Sequence, residues 1–209
     1  MKLYDYKQAP NPRRVRIFMA EKGIEIETVQ INLMKLEQHS DAYRKINPLG
    51  EVPALVLDDG SCISQTNAIC RYLEDIFPQT PLYGRTPLER AEVESQNHLI
   101  QMNGIIAGGE AFRNSSPSFK NRAISGPHAY PQIPELAERG LKRIDNLFAD
   151  LDKHFADQQF LVGDYFSVAD ITAFCTMGFI RWVKKTIPSE CGHLQRWFDQ
   201  VASRPSSKA

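Results

Sequence analysis

Apolar positions along the first part of the chain change period repeatedly, and each change predicts an element. Lys2–Tyr6 is extended, Pro12–Lys22 repeats at helical spacing until Gly23 stops it, and Glu25–Ile31 is extended again around Ile26, Val29 and Ile31. That order is a βαβ unit. A short helix over Ser40–Ile46 leads to a strand at Ala54–Leu57, the turn Asp58-Asp59-Gly60 and a strand at Ser61–Ser64. Thr66–Phe77 then returns to helical spacing through Ile69, Tyr72, Leu73 and Ile76. The order βαβαββα puts a small mixed sheet against helices.

Pro78, Pro81 and Pro87 interrupt this pattern, because proline lacks the backbone donor that a helix needs. Residues 78–87 are therefore expected to link a domain over 1–77 to a second over 88–209. Beyond the linker only helical periodicity remains, over Leu88–Phe112, Glu135–Phe155, Val168–Trp182 and His193–Ser203. Gly104, Gly108 and Gly109 weaken the first of these helices and predict a bend or a close approach. Asn114–Pro134 is a loop rich in Ser, Pro and Gly. The fold class is α+β, a mixed sheet domain followed by an all-α domain.

Composition limits what the chain can bind. Its 209 residues are 42% hydrophobic, enough for a real core. Lys and Arg number 25 and Asp and Glu 25, so no global field draws the protein to nucleic acid or an anionic membrane. The start Met1-Lys2-Leu3-Tyr4-Asp5-Tyr6 lacks the apolar core of a signal peptide, and a cytoplasmic location is the expectation. Cys62, Cys70, Cys175 and Cys191 have neither CxxC nor metal-ligand spacing; they read as reduced and mostly buried, with no metal expected.

Three local motifs carry more chemistry. In Asn47-Pro48-Leu49-Gly50-Glu51-Val52-Pro53-Ala54-Leu55 a proline stands where a strand begins. A cis Val52–Pro53 bond would make a bend that frees the Val52 N–H and C=O for a peptide-like ligand, paired as a neighbouring strand would be; a plain edge-strand proline is the alternative. Ser64-Gln65-Thr66-Asn67-Ala68-Ile69 opens a helix whose first amides can hold a carboxylate. Leu161-Val162-Gly163-Asp164-Tyr165-Phe166-Ser167-Val168-Ala169-Asp170 ends in a capping box, with Ser167 as N-cap and Asp170 three residues on. Asp170 is thus structural, and its loss to alanine is expected to cost about 1 kcal/mol or more.

With these motifs the chain resembles the cytosolic glutathione transferases along nearly its whole length, and Ala9-Pro10-Asn11-Pro12-Arg13-Arg14-Val15-Arg16 is most similar to bacterial and fungal members. The resemblance implies a thioredoxin-like N-terminal domain, an all-helical C-terminal domain and a homodimer. It also implies glutathione as co-substrate, without a metal, and a small hydrophobic electrophile as partner. Glutathione-dependent peroxide or disulfide reduction, isomerisation, and a non-catalytic glutathione-binding role are the alternatives.

Family members usually offer a Tyr, Ser or Cys to the glutathione sulfur, and here the segment holds Tyr6 and then Asn11 where the Ser or Cys would fall. Asn11 and Tyr6 are the catalytic candidates, Asn11 being also the expected N-cap of a helix begun by Pro12. Arg13 and Arg14 beside that positive helix end read either as solvated or as offset by a bound anion. Glutathione is expected at Lys35, Glu51, Val52, Pro53, Gln65 and Thr66, with Thr66 either a ligand contact or a simple N-cap. Glu51 would repel the glycyl carboxylate if it pointed inward. The electrophile is expected at Met102, Ile105, Ile106 and Phe112, with Phe179 and Trp182 nearby; His98 and His128 are weaker candidates for acid–base work.

Overall fold

A computed structural model describes residues 1–209. The first part runs β1 (Lys2–Asp5), α1 (Pro10–Lys22), β2 (Glu27–Gln30), α2 (Asp41–Arg44), β3 (Ala54–Val56), β4 (Cys62–Ser64) and α3 (Thr66–Ile76). Its sheet has the order β2-β1-β3-β4, with β1 parallel to β2 and antiparallel to β3, and β4 antiparallel to β3. Leu3 and Leu55, paired across β1 and β3, carry one buried face and Ala54 is buried on the other, whereas β2 is a largely exposed edge shorter than the extended run expected there. This is a thioredoxin-like arrangement. Phe77–Thr86 forms neither helix nor strand.

The rest is helical: α4 (Pro87–Ile100), α5 (Ala107–Ser115), α6 (Pro134–Asp157), α7 (Val168–Phe179) and α8 (Gly192–Ala202). The single helix expected over Leu88–Phe112 is instead split by a π-helical turn at Gln101–Ile106. Gly104 explains the widening, since a Cβ there would lie 2.6 Å from Thr176 Cγ2 on α7. Almost all of α7 is buried, and one core unites Leu3, Phe18 and Ile69 with Val93, Ile144, Ile171 and Trp197. The two parts therefore share an interior, which rigidly fixes the N-terminus of α1 against the helices.

Close packing of α5 on α6 rests on Gly140. A Cβ at that position would meet the Ala107 carbonyl oxygen at 2.5 Å and the Ala111 nitrogen at 2.9 Å, backbone atoms that cannot rotate away. Gly140→Ala is expected to lower stability by about 1–3 kcal/mol, because the clash outweighs the helix-propensity gain of about 1 kcal/mol. Denaturant unfolding midpoints check this, and a midpoint at or above that of the wild type would contradict it.

Candidate active site

Two helix N-termini and one strand end converge on the site. Val52–Pro53 is cis, and neither the N–H nor the C=O of Val52 finds a partner within the protein. Tyr43 and Asn47 direct their side chains to the preceding carbonyl instead, donating to Glu51 O at 2.7 and 2.8 Å. They hold the bend while leaving the half-buried Val52 open.

Helix α3 begins on Gln65, whose φ of +76° is uncommon for a residue with a Cβ. Gln65, not Thr66, is the N-cap residue, so the reading of Thr66 as a simple cap is corrected. The Thr66 hydroxyl donates across to the Asn11 carbonyl at 3.3 Å, tying the start of α3 to the start of α1. The first amides of α3, those of Thr66, Asn67 and Ala68, have no acceptor in the protein. They lie at the positive end of an eleven-residue helix, an arrangement that can accept an anion.

Helix α1 also starts earlier than its sequence suggests. Ala9 is the N-cap and Pro10 the first helical residue, which moves Asn11 inside the first turn and overturns its expected capping role. Pro10 and Pro12 have no N–H, so Asn11 supplies the free amide of this end, and no protein group accepts from it. Its side-chain oxygen accepts from Arg14 Nη1 at 3.2 Å. The Asn11 Nδ2 donors remain unpaired. Tyr6 is engaged elsewhere, donating its hydroxyl to Gln8.

Of the two readings of Arg14, the solvated one is excluded: it is 2% exposed, and its guanidinium has no carboxylate partner. Its guanidinium reaches three neutral oxygens, Thr172 Oγ1 at 3.1 Å, Asn67 Oδ1 at 2.6 Å and Asn11 Oδ1. Burial lowers its pKa, the nearby Cys70, Cys175 and Tyr83 opposing that. Asn67 passes the network on to Gln101 at the π turn, and Thr172 to Asn97 on α4. Arg13 is half-buried, with Nη2 donating to Ser207 O at 2.8 Å.

Glu51 points neither to bulk solvent nor at Val52. Gln65 Nε2 donates to its Oε2 at 3.0 Å, and Ser125, from the loop of the helical domain, donates to its Oε1. Arg113, on α5, donates from Nη2 to the carbonyl of Arg122 in that loop at 2.6 Å. Burial lowers the Arg113 pKa first and Arg122 lowers it further, with Glu51 pulling the other way; His39 is lowered by burial and then by Arg44, Arg122 and Arg113. Arg113 is thus the cation coupled to Glu51. Lys35 lies in a 3-10 turn (Leu33–Lys35), exposed, with no hydrogen bond or ion pair joining its ammonium to this group.

Of the four residues expected at the electrophile, Met102 and Ile106 are 38% and 37% exposed and Ile105 is buried. Phe112 alone joins an aromatic cluster, its ring 5.2 Å from Trp182 and 6.2 Å from Phe179. None of the four lines a cavity of about 510 Å³ beside α1, walled by Pro10, Arg13, Phe179 and Trp182 among others. Burial pushes the Cys70 thiol up to about 12 and the Cys175 thiol to about 11, so neither is a nucleophile at neutral pH. Sequence reasoning misses Asn67, Ser125 and the Arg113–Arg122 pair, and the network around Arg14, because these contacts join elements far apart in the chain.

Family models match both parts: the glutathione S-transferase N-terminal domain over residues 1–75 and the glutathione S-transferase C-terminal domain over 116–205. The chain belongs to the glutathione S-transferase family. Glutathione S-transferase 2 of Saccharomyces cerevisiae is 32% identical over 213 residues, which span 100% of this chain and 88% of that protein. A crystal structure of a glutathione S-transferase domain-containing protein from Marinobacter aquaeolei aligns with a TM-score of 0.90 at 36% identity, covering 99% of both chains. That of Gtt2 from S. cerevisiae aligns with a TM-score of 0.90 at 32% identity, covering 100% of this chain and 99% of the other. By membership this glutathione S-transferase is a glutathione transferase, of a family that uses glutathione. No helix of it is long and apolar enough to cross a membrane.

Proposed function

We propose that the protein binds glutathione along Val52 and the start of α3 and activates its thiol at the start of α1 for attack on a small electrophile. The observation that carries this is the pair of unpaired Asn11 donors, N–H and Nδ2, at a helix N-terminus backed by the buried, uncompensated Arg14. A thiolate is the nucleophile, and a free thiol of pKa about 8.5 is only a few per cent ionised at neutral pH. Charge-assisted donors and a nearby cation favour S⁻ and so lower that pKa. Val52 would pair with the peptide backbone of glutathione, and the amides of Thr66, Asn67 and Ala68 with its γ-glutamyl carboxylate. Arg113 and Arg122 offset Glu51 where the glycyl carboxylate would lie. A cytoplasmic homodimer is carried over from the family as part of this reading.

Asn11→Ala is expected to reduce kcat/KM for 1-chloro-2,4-dinitrobenzene roughly 10–100-fold and to move the apparent thiol pKa up toward about 8.5. Tyr6→Phe should leave the pH profile in place, since that hydroxyl is engaged by Gln8. Profiles of kcat/KM against pH check both. An unmoved pKa in Asn11→Ala would assign the activation to other groups.

A further inference from the structure

The 510 Å³ cavity beside the start of α1 has an uneven lining. Lys7, Arg13 and Arg16 line it together with Ala209, and no Asp or Glu side chain does. Arg16 is neutralised by Asp5 at 2.5 Å, but Arg13 and Lys7 have no carboxylate partner. Arg13 is nonetheless held in place, by Ser207 O, by the Phe174 ring 5.2 Å below it, and against Gly178, where a Cβ would come within 3.2 Å of Nη1. Phe179 and Trp182 line it too, rings 5.3 Å apart, with Trp182 47% exposed. Pro10, the neighbour of Asn11 in the first turn of α1, is part of the wall.

We propose that this cavity takes an aromatic electrophile bearing a carboxylate or sulfonate, its ring against Trp182 and Phe179 and its anion at Arg13 and Lys7. The inference rests on the conjugation reading and adds the charge of the substrate to it. In the reaction the glutathione thiolate attacks the ring carbon that bears a halide. The C–S bond forms, the carbon–halogen bond breaks, the halide leaves with its electron pair, and the thiol proton passes to solvent.

Two measurements test it on the intact protein. In the first, 4-fluoro-3-nitrobenzoate and its methyl ester are conjugated, each rate divided by its uncatalysed rate with glutathione at the same pH. The benzoate is expected to lead at least tenfold in normalised kcat/KM, and Lys7→Met, an exposed position that leaves folding intact, should cut that ratio several-fold, Arg13→Met further. In the second, 3-nitrobenzoate, which has no leaving group, is titrated against tryptophan fluorescence without glutathione. Quenching should saturate, weaken in Arg13→Met but less in Arg13→Lys, and disappear in Trp182→Phe, because Trp197 is buried. Equal normalised rates together with equal quenching by acid and ester would overturn the inference. Selective quenching with neither electrophile conjugated would support the cavity's preference and sink the conjugation reading instead.

Discussion

Asp170→Ala is expected to lower the stability of the protein by about 3–5 kcal/mol, and the unfolding temperature by roughly 10 °C. The sequence alone suggests a helix cap of about 1 kcal/mol. In the fold the carboxylate is fully buried and accepts four hydrogen bonds: from the amides of Leu161 and Ser167, from the Ser167 hydroxyl, and from Trp197 Nε1 at 3.0 Å. Alanine strands three buried N–H donors, two in the loop before α7 and one on α8, and each orphan costs about 1–3 kcal/mol. Thermal and denaturant unfolding measure the loss, and a change below about 1 kcal/mol would show that water or relaxation replaces the carboxylate.

The same residue sets a pH dependence. Burial pushes its pKa up to about 6, against the pull of its hydrogen bonds, whereas the unfolded value is 3.8. The folded state therefore holds the proton more tightly than the unfolded one. The stability this contributes is complete below about pH 4 and is lost as pH rises through 6. Compared with the non-titrating Asp170→Asn, the wild type should lose relative stability across that window. A gap that widened in favour of the wild type would place the folded pKa below 3.8.

Features written in short-range spacing are legible in the amino-acid sequence by itself. The Val52–Pro53 bend, the Ser167–Asp170 cap and the start of α3 at Gln65-Thr66 each lie within a few residues, where proline geometry and capping chemistry act alone. Periodicity yields the βαβαββα order for the same reason. The site's interior is less legible. Arg14 meets Asn67 across 53 residues and Thr172 across 158, and Ser125 meets Glu51 across 74. An arginine near a helix start looks solvated until the helix packed on it is known, here α7. Gly104 foreshadows the π turn, but its cause is Thr176 on another helix. Asn11 reads as a cap in the sequence because two prolines flank it, and either could begin α1.

Arg14→Met should abolish most of the thiol activation. A buried guanidinium with neutral partners alone carries a desolvation penalty that its three hydrogen bonds offset only in part. Methionine of similar length removes that penalty but leaves the Asn11, Asn67 and Thr172 oxygens less satisfied; the two effects oppose, and the net change should stay within about 2 kcal/mol. For the bound thiolate there is no such cancellation. If the sulfur binds within about 6 Å of this cation, at an effective dielectric of about 20, the charge would be worth about 3 kcal/mol, or two pKa units. The apparent thiol pKa should therefore rise by one to two units, with kcat/KM at pH 6.5 falling at least tenfold and recovering at high pH. Arg14→Lys keeps the charge and loses the fork, so it should retain most of the pKa shift while loosening Asn11 and Asn67. Scanning the ultraviolet absorbance of bound glutathione against pH reads the thiolate directly, apart from turnover. If that titration midpoint is the same in Arg14→Met as in the wild type, the buried charge serves the junction between the domains and not the sulfur.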